Sequence, residues 1–433
     1  MAGTLTVDTI QSDSSYASTI NVASKMNFSG GYQVGGYDSA MMFRNRWFNG
    51  KMEIEQRTGQ GSANGVAESS GTAGTAKFVN NGTSVVYCVD RMSGYGQTSG
   101  VWKMQKSTDV PTGQGFINSL ACTVTTTGTM GTSALHFLGN YIEGYNVADW
   151  QLGGSSAKPY TVSFWVKSSI TGPYALITNS GEGSTNLVCI KHYTINQANT
   201  WEYKTVTFTP PVTGGDSQFS KTTGRGIGIW WGLGCGTGQQ TSSLNTWIDN
   251  GATQSLWGST TSTQWAANSG ATFYITGVQV ESGNVATPFE HRPINVELQL
   301  CQRYFYPLYN GVNGRNIGTW PATYYEQGGR YVAQTITFPV QMRISPSIVQ
   351  ANVANNTGNQ WNWPPSGSLT GATSNFSIWS QNGVGQGITI LSTATAGPTG
   401  NGVPLAASGA AYMMDFSAAN TIVAFSSELQ GSV

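Results

Sequence analysis

The stretch "TVSFWVKS" (residues 161–168) alternates side chain by side chain, with Val162, Phe164 and Val166 on one face and Ser163, Trp165 and Lys167 on the other. A period of two is the signature of a strand with one face buried. Its neighbour "WEYKTVTF" (201–208) is rich in the β-branched and aromatic residues that fit a pleated surface. Similar short runs recur at 84–89, 187–193, 226–231, 272–280, 331–338, 375–379, 387–391 and 422–426, separated by Gly, Asn, Ser and Pro. Sustained 3.6-residue periodicity is nearly absent. The fold class is therefore all-β, built of packed sheets. One helix is predicted, over "NVELQLCQRY" (295–304), just after Pro293. The absence of a repeat of 20 to 50 residues tells against a solenoid.

A chain of 433 residues has room for two or three domains with cores of their own. Charged residues make up only 9% of it, against roughly 25% in an ordinary soluble domain, while Gly reaches 56 and Trp 14. Its surface must be covered by Ser, Thr, Asn, Gln and Gly, which suits a virion or extracellular structural protein. Twenty basic and twenty acidic residues without a run of either give no electrostatic footprint for nucleic acid. The apolar stretches are too short for membrane insertion as a helix. The N-terminus has neither the basic nor the apolar region of a secretory signal, so synthesis in a cytoplasm is expected. Cys88, Cys122, Cys189, Cys235 and Cys301 are odd in number and scattered, and read as buried free thiols.

Four segments follow. Residues 1–42 carry small strand-like pieces at 4–10 and 18–22 that cannot form a core alone and must borrow partners. Residues 43–292 hold enough strands for one large β-sandwich, 293–304 form a linker helix, and 305–433 a smaller C-terminal β-sandwich. The boundary falls at "VQVESGNVATPFEHRP" (278–293), where alternation breaks at Ser282-Gly283-Asn284 and two prolines stiffen the exit. Glu290, His291 and Arg292 are consecutive there; an extended chain sends them to alternating sides, which makes the cluster a structural seam and not a catalytic site.

The central segment resembles the carbohydrate-binding-module-like jelly roll of bacteriophage tail fibres. The resemblance rests on "NRWFNGKMEIEQR" (45–57), "DRMSGYG" (90–96), "YIEGYNVADWQLGGSSAKPYTVSFWVKSS" (141–169), "NTWEYKTVTF" (199–208) and "FYITGVQVESGNVATPFEHRP" (273–293), followed by "VELQLCQRYFYP" (296–307). The markers cover about 260 residues in the expected order. They imply a homotrimeric fibre whose N-terminal segment docks on a phage tail or capsid protein and whose distal C-terminal unit faces the receptor. "TLTVDTIQS" near the start is similar to docking segments, which points to Leu5, Val7 and Ile10. "FPVQMRISPS" (338–347) and "FSSEL" (425–429) resemble pieces of the C-terminal β-domains of such fibres. Jelly-roll sugar-binding modules often carry a structural Ca²⁺, for which Glu53 and Glu55 form a candidate pair and Glu281 a third ligand; otherwise no cofactor is expected. The plainer reading of Glu53 and Glu55 is an exposed strand face.

A glycosidase needs two carboxyls facing each other across a sugar. Acids are scarce here, and Glu143 with Asp149, Asp90 and Glu182 form no obvious pair. No GxSxG elbow accompanies His136, His192 or His291, and alternation puts Cys189 and His192 on opposite faces of a strand. "GRGIGIWWGLGCGTG" (224–238) lacks the Lys-Ser/Thr of a P-loop and reads as a buried strand in which Gly permits close packing. An enzyme is not expected. Sugar binding is the better chemistry, because pyranose rings stack on Trp and Tyr while amides and acids take the hydroxyls. The candidates are Trp230, Trp231, Trp247, Trp257, Trp265, Trp361 and Trp363, the last two on "QWNWPPSG" (360–367), a stiff loop tip. The function expected is a virion tail fibre adhering to host surface polysaccharide. Its alternatives are a capsid decoration or head-fibre protein and a glycan depolymerase.

Overall fold

The computed structural model describes residues 43–57, 77–79, 85–97, 100–182, 187–249 and 256–310, then 320–323, 331–351, 362–363, 367–368, 375–381, 387–393, 411–414 and 422–429. The docking candidates Leu5, Val7 and Ile10, the strand-like pieces at 4–10 and 18–22, and Trp361 lie outside the described residues.

Fifteen strands build the central unit in chain order: β1 Lys77–Val79, β2 Val86–Tyr87, β3 Ser93–Gln97, β4 Val101–Ser107, β5 Ser119–Thr126, β6 Leu135–Glu143, β7 Tyr160–Ser168, β8 Gly172–Asn179, β9 Leu187–Ile195, β10 Glu202–Phe208, β11 Arg225–Cys235, β12 Gln240–Thr241, β13 Trp247–Asp249, β14 Gly258–Ser259 and β15 Thr272–Ser282. β12 and β14 pair parallel with each other, and the other thirteen form a six-stranded sheet in the order β1-β4-β5-β15-β7-β10 and a seven-stranded sheet in the order β13-β9-β8-β11-β6-β3-β2; these two sheets make the sandwich. Both are antiparallel throughout, and the chain passes repeatedly from one to the other. This is a jelly-roll-like β-sandwich. Nine of its strands (β1, β3, β4, β5, β6, β8, β12, β13 and β14) were not predicted from the sequence.

The inward residues of β7, Val162, Phe164 and Val166, are fully buried as the alternation predicts, and they meet Trp231, Leu233, Ile275, Val278 and Val280 in the core between the sheets. A second core lies outside the seven-stranded sheet. There Phe137, Ile177, Ile190 and Trp230 are covered by Leu256 and Trp257, with Leu244 and Ile248 packed against them. β11 thus sends Trp231 to one core and Trp230 to the other, and all but its first residue are buried. All five cysteines are free and buried.

The six-stranded sheet has a filled gap. β5 pairs with β15 only as far as Ile275, and beyond it residues 45–50 take over: Arg46 N–H donates to Val280 O at 2.8 Å and Val278 N–H to Gly50 O at 3.0 Å. Asn45 Nδ2 donates to Val278 O at 3.1 Å, and its Oδ1 accepts from Val280 N–H at 3.0 Å and Trp47 N–H at 2.9 Å. The seam residues hold this strap. Glu290 accepts from the backbone N–H of Phe43 and Asn45, while Arg292 donates to Asn45 O and to Glu297, which in turn accepts from Asn49 N–H. His291 turns the other way and stacks on Phe116 at 5.7 Å.

Helix α1 is a single turn, Gly215–Gln218, and α2 runs from Ile294 to Gln302 with Pro293 as its N-cap residue, close to the predicted span. No helix among the described residues is long and apolar enough to cross a membrane. Past α2 the described backbone is again antiparallel β. Phe305–Asn310, Ile422–Ser426 and Ser347–Ala351 form one sheet, and Trp320–Thr323, Tyr331–Thr337, Asn375–Gln381, Gly387–Thr393 and Ala411–Met414 form another.

A buried ionic cluster ties these later residues to the sandwich. Glu428 receives Arg57 (2.5 Å) and Arg91, and Asp90 sits 3.6 Å from Arg57. Arg303 chelates Glu143, whose other donor is Tyr304 Oη at 2.7 Å. Arg57 is sandwiched between the rings of Tyr87 and Phe305 at 4.2 and 3.8 Å. Arg343 donates to Thr223 O, Ser427 O and Glu428 O, and Arg225 to Leu429 O.

Candidate functional site

The outer faces of the two sheets differ in kind. That of the seven-stranded sheet is occupied by the chain's own second core. On the six-stranded sheet, the outward residues of β7 are Trp165 and Lys167, and the register brings aromatic neighbours to both. Tyr203 of β10 pairs with Trp165, and Tyr274 of β15 pairs with Lys167. Trp165 and Tyr203 lie 5.4 Å apart, ring centroid to centroid, and Trp201 and Tyr274 6.2 Å apart. Tyr203 is 44% exposed and the other three are partly so.

An ion pair is set into this aromatic face. Lys167 Nζ lies 4.4 Å from the Tyr274 ring centre and 5.4 Å from that of Trp201, and donates to Asp109 Oδ2. Trp201 Nε1–H donates to Asp109 Oδ1 at 3.0 Å. Asp109 comes from the β4–β5 loop, which is braced by Ser119 Oγ donating to Asp109 O at 2.6 Å and by Asp109 N–H donating to Ser107 Oγ at 3.1 Å. Partial burial pushes the Asp109 carboxyl up, but the hydrogen bonds from Lys167 and Trp201 and the Lys167 charge outweigh it and hold it below its ordinary value. Burial, then the Asp109 charge, raises the Tyr274 hydroxyl. Four rings with an ionised acceptor between them make a surface that can stack on a pyranose and take its hydroxyls.

The platform has a defined border. At the β15 bulge Gly277 adopts φ +61°, and Phe116 lies over it, with Phe289 and His291 packed edge-on and stacked beside Phe116. A Cβ on Gly277 would stand 2.7 Å from Phe116 Cζ, so the position needs glycine for space as well as for its backbone.

The tryptophans singled out in the sequence go elsewhere. Trp230 is fully buried, donates from Nε1 to Asn179 Oδ1 at 2.8 Å and meets Phe137 edge-on, so no ring face is open to a sugar. Trp257 stacks on Phe137 at 3.9 Å and is 7% exposed. Trp231 and Trp265 are 0% exposed in the inter-sheet core. Trp247 is partly buried, donates to Thr209 O at 2.7 Å and packs on Phe219. The expectations for Trp230, Trp231, Trp257 and Trp265 are corrected by their burial: Trp230 and Trp231 lie on β11, which is covered on both faces, and Trp257 and Trp265 pack into the two cores, while Trp247 stays partly exposed. The backbone of Asn362–Trp363 pairs antiparallel with that of Gly367–Ser368.

The acidic candidates do not fit a calcium ion. Glu53 and Glu55 lie on irregular chain, not on a strand, and pair with Lys51 at 2.9 Å and Lys106 at 3.3 Å. Both are partly buried, not exposed: their side chains are 11% and 2% accessible. Glu281 accepts from Gln279 Nε2, Thr287 N–H and Thr287 Oγ1, with Arg44 at 3.8 Å. The three carboxylates serve different partners, and among the described residues no three acidic, His or Cys side chains could hold a metal. Cys189 faces the inter-sheet core, whereas His192 Nε2 contacts Ser259 Oγ and Ser262 Oγ at 2.9 and 3.0 Å, the opposite faces that the alternation predicts.

Trp165 and Lys167 were legible as one strand face; Tyr203, Tyr274 and Asp109 reach them only through strand register and a loop. A Trp-x-Lys on one strand and a Trp-x-Tyr on another were the available signals.

No protein-family model matches the chain, and no curated protein matches it. Among solved structures it is similar to the enzymatically active domain of tailspike protein 4 of bacteriophage CBA120, at 14% identity and a TM-score of 0.26, over 47% of this chain and 20% of that one. The chain thus spans about a fifth of the length of that tailspike domain. It is also similar to a CBM4, at 14% identity and a TM-score of 0.25, over 55% of this chain and 99% of that one. A third is a family 11 carbohydrate-binding module from Clostridium thermocellum in complex with a β-1,3-1,4-mixed-linked tetrasaccharide, at 10% identity and a TM-score of 0.23, over 51% of this chain and 99% of that one.

Proposed function

We propose that the protein is a virion fibre that adheres to a cell-surface glycan through the outer face of its six-stranded sheet. The observation that carries this reading is the platform of Trp165, Tyr203, Trp201 and Tyr274 around the Asp109–Lys167 pair, on the sheet face that the second core leaves open. Rings on a rigid sandwich bury large area on binding at little entropic cost. The sequence resemblance to phage tail fibres supports the virion setting. In this reading three copies assemble, residues 1–42 dock them on a tail or capsid protein, and the platform, not Trp230 or Trp257, meets the polysaccharide.

Binding without cleavage is part of the proposal. Acids that could serve a glycosidase are engaged elsewhere: Glu143 by Arg303 and Tyr304, Asp149 by Arg46 at 3.0 Å, and Glu182 by Arg225 N–H at 2.6 Å. Titration of host surface polysaccharide into the full chain tests the adhesion. Saturable binding lost in Trp165→Ala/Tyr203→Ala supports it, and unchanged binding in that variant refutes it. Steady release of reducing ends from the same polysaccharide overturns the non-enzymatic part. Sedimentation equilibrium at 45.9 kDa would remove the trimer.

A further inference from the structure

Resting on the adhesion reading, we infer that the platform selects neutral glycans over acidic ones, with Asp109 as the group that reads sugar hydroxyls. The two members of the central ion pair are not equally presented. The Asp109 side chain is 44% accessible, while that of Lys167 is 13% accessible and lies against the rings of Tyr274 and Trp201. An approaching ligand meets the anion first. Each Asp109 oxygen already accepts one bond, from Trp201 Nε1–H or Lys167 Nζ, and keeps further acceptor capacity. The loop bonds to Ser107 and Ser119 fix the carboxylate before any ligand arrives. A charged acceptor held in place takes hydroxyl donors strongly and imposes direction on them.

Among the described residues, the lysines beside the aromatic rings are already matched. The Lys167 charge is matched by Asp109, and at the sheet edge Glu202 and Lys204 match each other at 2.5 Å. The next outward lysine in the row of strands, Lys103 on β4, lies three strands from β7. At 4.8 Å per strand that is about 14 Å, beyond the screening length of about 8 Å in physiological salt. A uronate, sialate or phosphate seated on the aromatic pair would bring its charge against Asp109, and like charges placed together cost affinity.

The test is a calorimetric titration of the full chain with four polymers: a mixed-linked β-glucan, a galactomannan, polygalacturonate and polysialate. Wild-type protein, Trp165→Ala and Asp109→Asn are compared, with melting curves confirming that these outward substitutions leave the fold intact. Binding of at least one neutral polymer is expected, weakened roughly thirtyfold in Trp165→Ala and about tenfold in Asp109→Asn, with the acidic polymers bound weakly or not at all by wild type and better by Asp109→Asn. If the acidic polymers bind wild type in preference and Trp165→Ala abolishes that, the selectivity is refuted while the aromatic face stands as the site. Binding to none of the four, or binding indifferent to Trp165, overturns both.

Discussion

Asp90 offers a test of the buried ionic cluster whose sign is unusual. Its side chain is 1% accessible, accepts from Gln56 N–H at 2.7 Å and lies 3.6 Å from Arg57, which also serves Glu428. Burial pushes the carboxyl up to about 6 from an ordinary 3.8, and the nearby Glu428 adds to the rise, while Arg57 and the Gln56 N–H oppose it. A folded-state value above the unfolded one means that the native protein holds a proton which the unfolded chain releases as pH climbs from about 4 to about 6. Over that window native stability falls, and above it a constant cost remains, about 3 kcal/mol at 1.36 kcal/mol per tenfold change in proton affinity. Asp90→Asn mimics the protonated acid, keeps an acceptor for Gln56 N–H and leaves Arg57 with Glu428. The variant should therefore be more stable than wild type at pH 7.5, by up to about 3 kcal/mol, and equal to it near pH 4. The assay is urea denaturation of both proteins at half-unit intervals from pH 4 to 7.5, read as the difference between them so that other titrating groups cancel. A variant several kcal/mol less stable at pH 7.5, with a difference that does not close toward pH 4, would refute the reasoning and make charged Asp90 a net stabiliser.

Removing the shared anion should act in the opposite direction: Glu428→Gln leaves Arg57 and Arg91 buried without their carboxylate and is expected to cost about 3 to 5 kcal/mol in chemical denaturation. Gly277→Ala forces a Cβ toward Phe116 at φ +61° and should cost about 1 to 3 kcal/mol, with recovery in Phe116→Ala/Gly277→Ala if the clash is the larger part. Trp230→Ala opens the second core and should lower stability by about 3 to 5 kcal/mol, while the protein that remains folded binds polysaccharide as wild type does, because Trp230 has no open face.

β7 and β10 were legible in the sequence, because alternation of the kind seen at residues 161–168 needs no knowledge of partners, although β4 and β5, whose burial also alternates, were missed. Where both faces are buried the pattern fades: Leu135–Glu143 shows eight buried residues in nine, and that strand was missed. The second core misled the reading of Trp230 and Trp257, since nothing local announces that Leu244, Ile248, Leu256 and Trp257 pack over the outer face of the seven-stranded sheet. The acids at 53 and 55 failed as a metal pair for a different reason, the arrival of Lys51 and Lys106 beside them. The seam at 290–292 was readable as structural from the extended chain alone, whereas its work in clamping residues 43–49 depends on contacts across some 245 positions. The platform needed register: Tyr203 stands beside Trp165, and Tyr274 beside Lys167, only once β10 and β15 are aligned on β7.

The most direct measurement of the central claim is the affinity of the full chain for host surface polysaccharide with and without the Trp165 ring. A single Trp at the centre of a binding surface is commonly worth about 2 kcal/mol or more, so Trp165→Ala should weaken binding roughly thirtyfold while leaving the melting temperature near that of wild type. An affinity unchanged by that substitution would contradict the account.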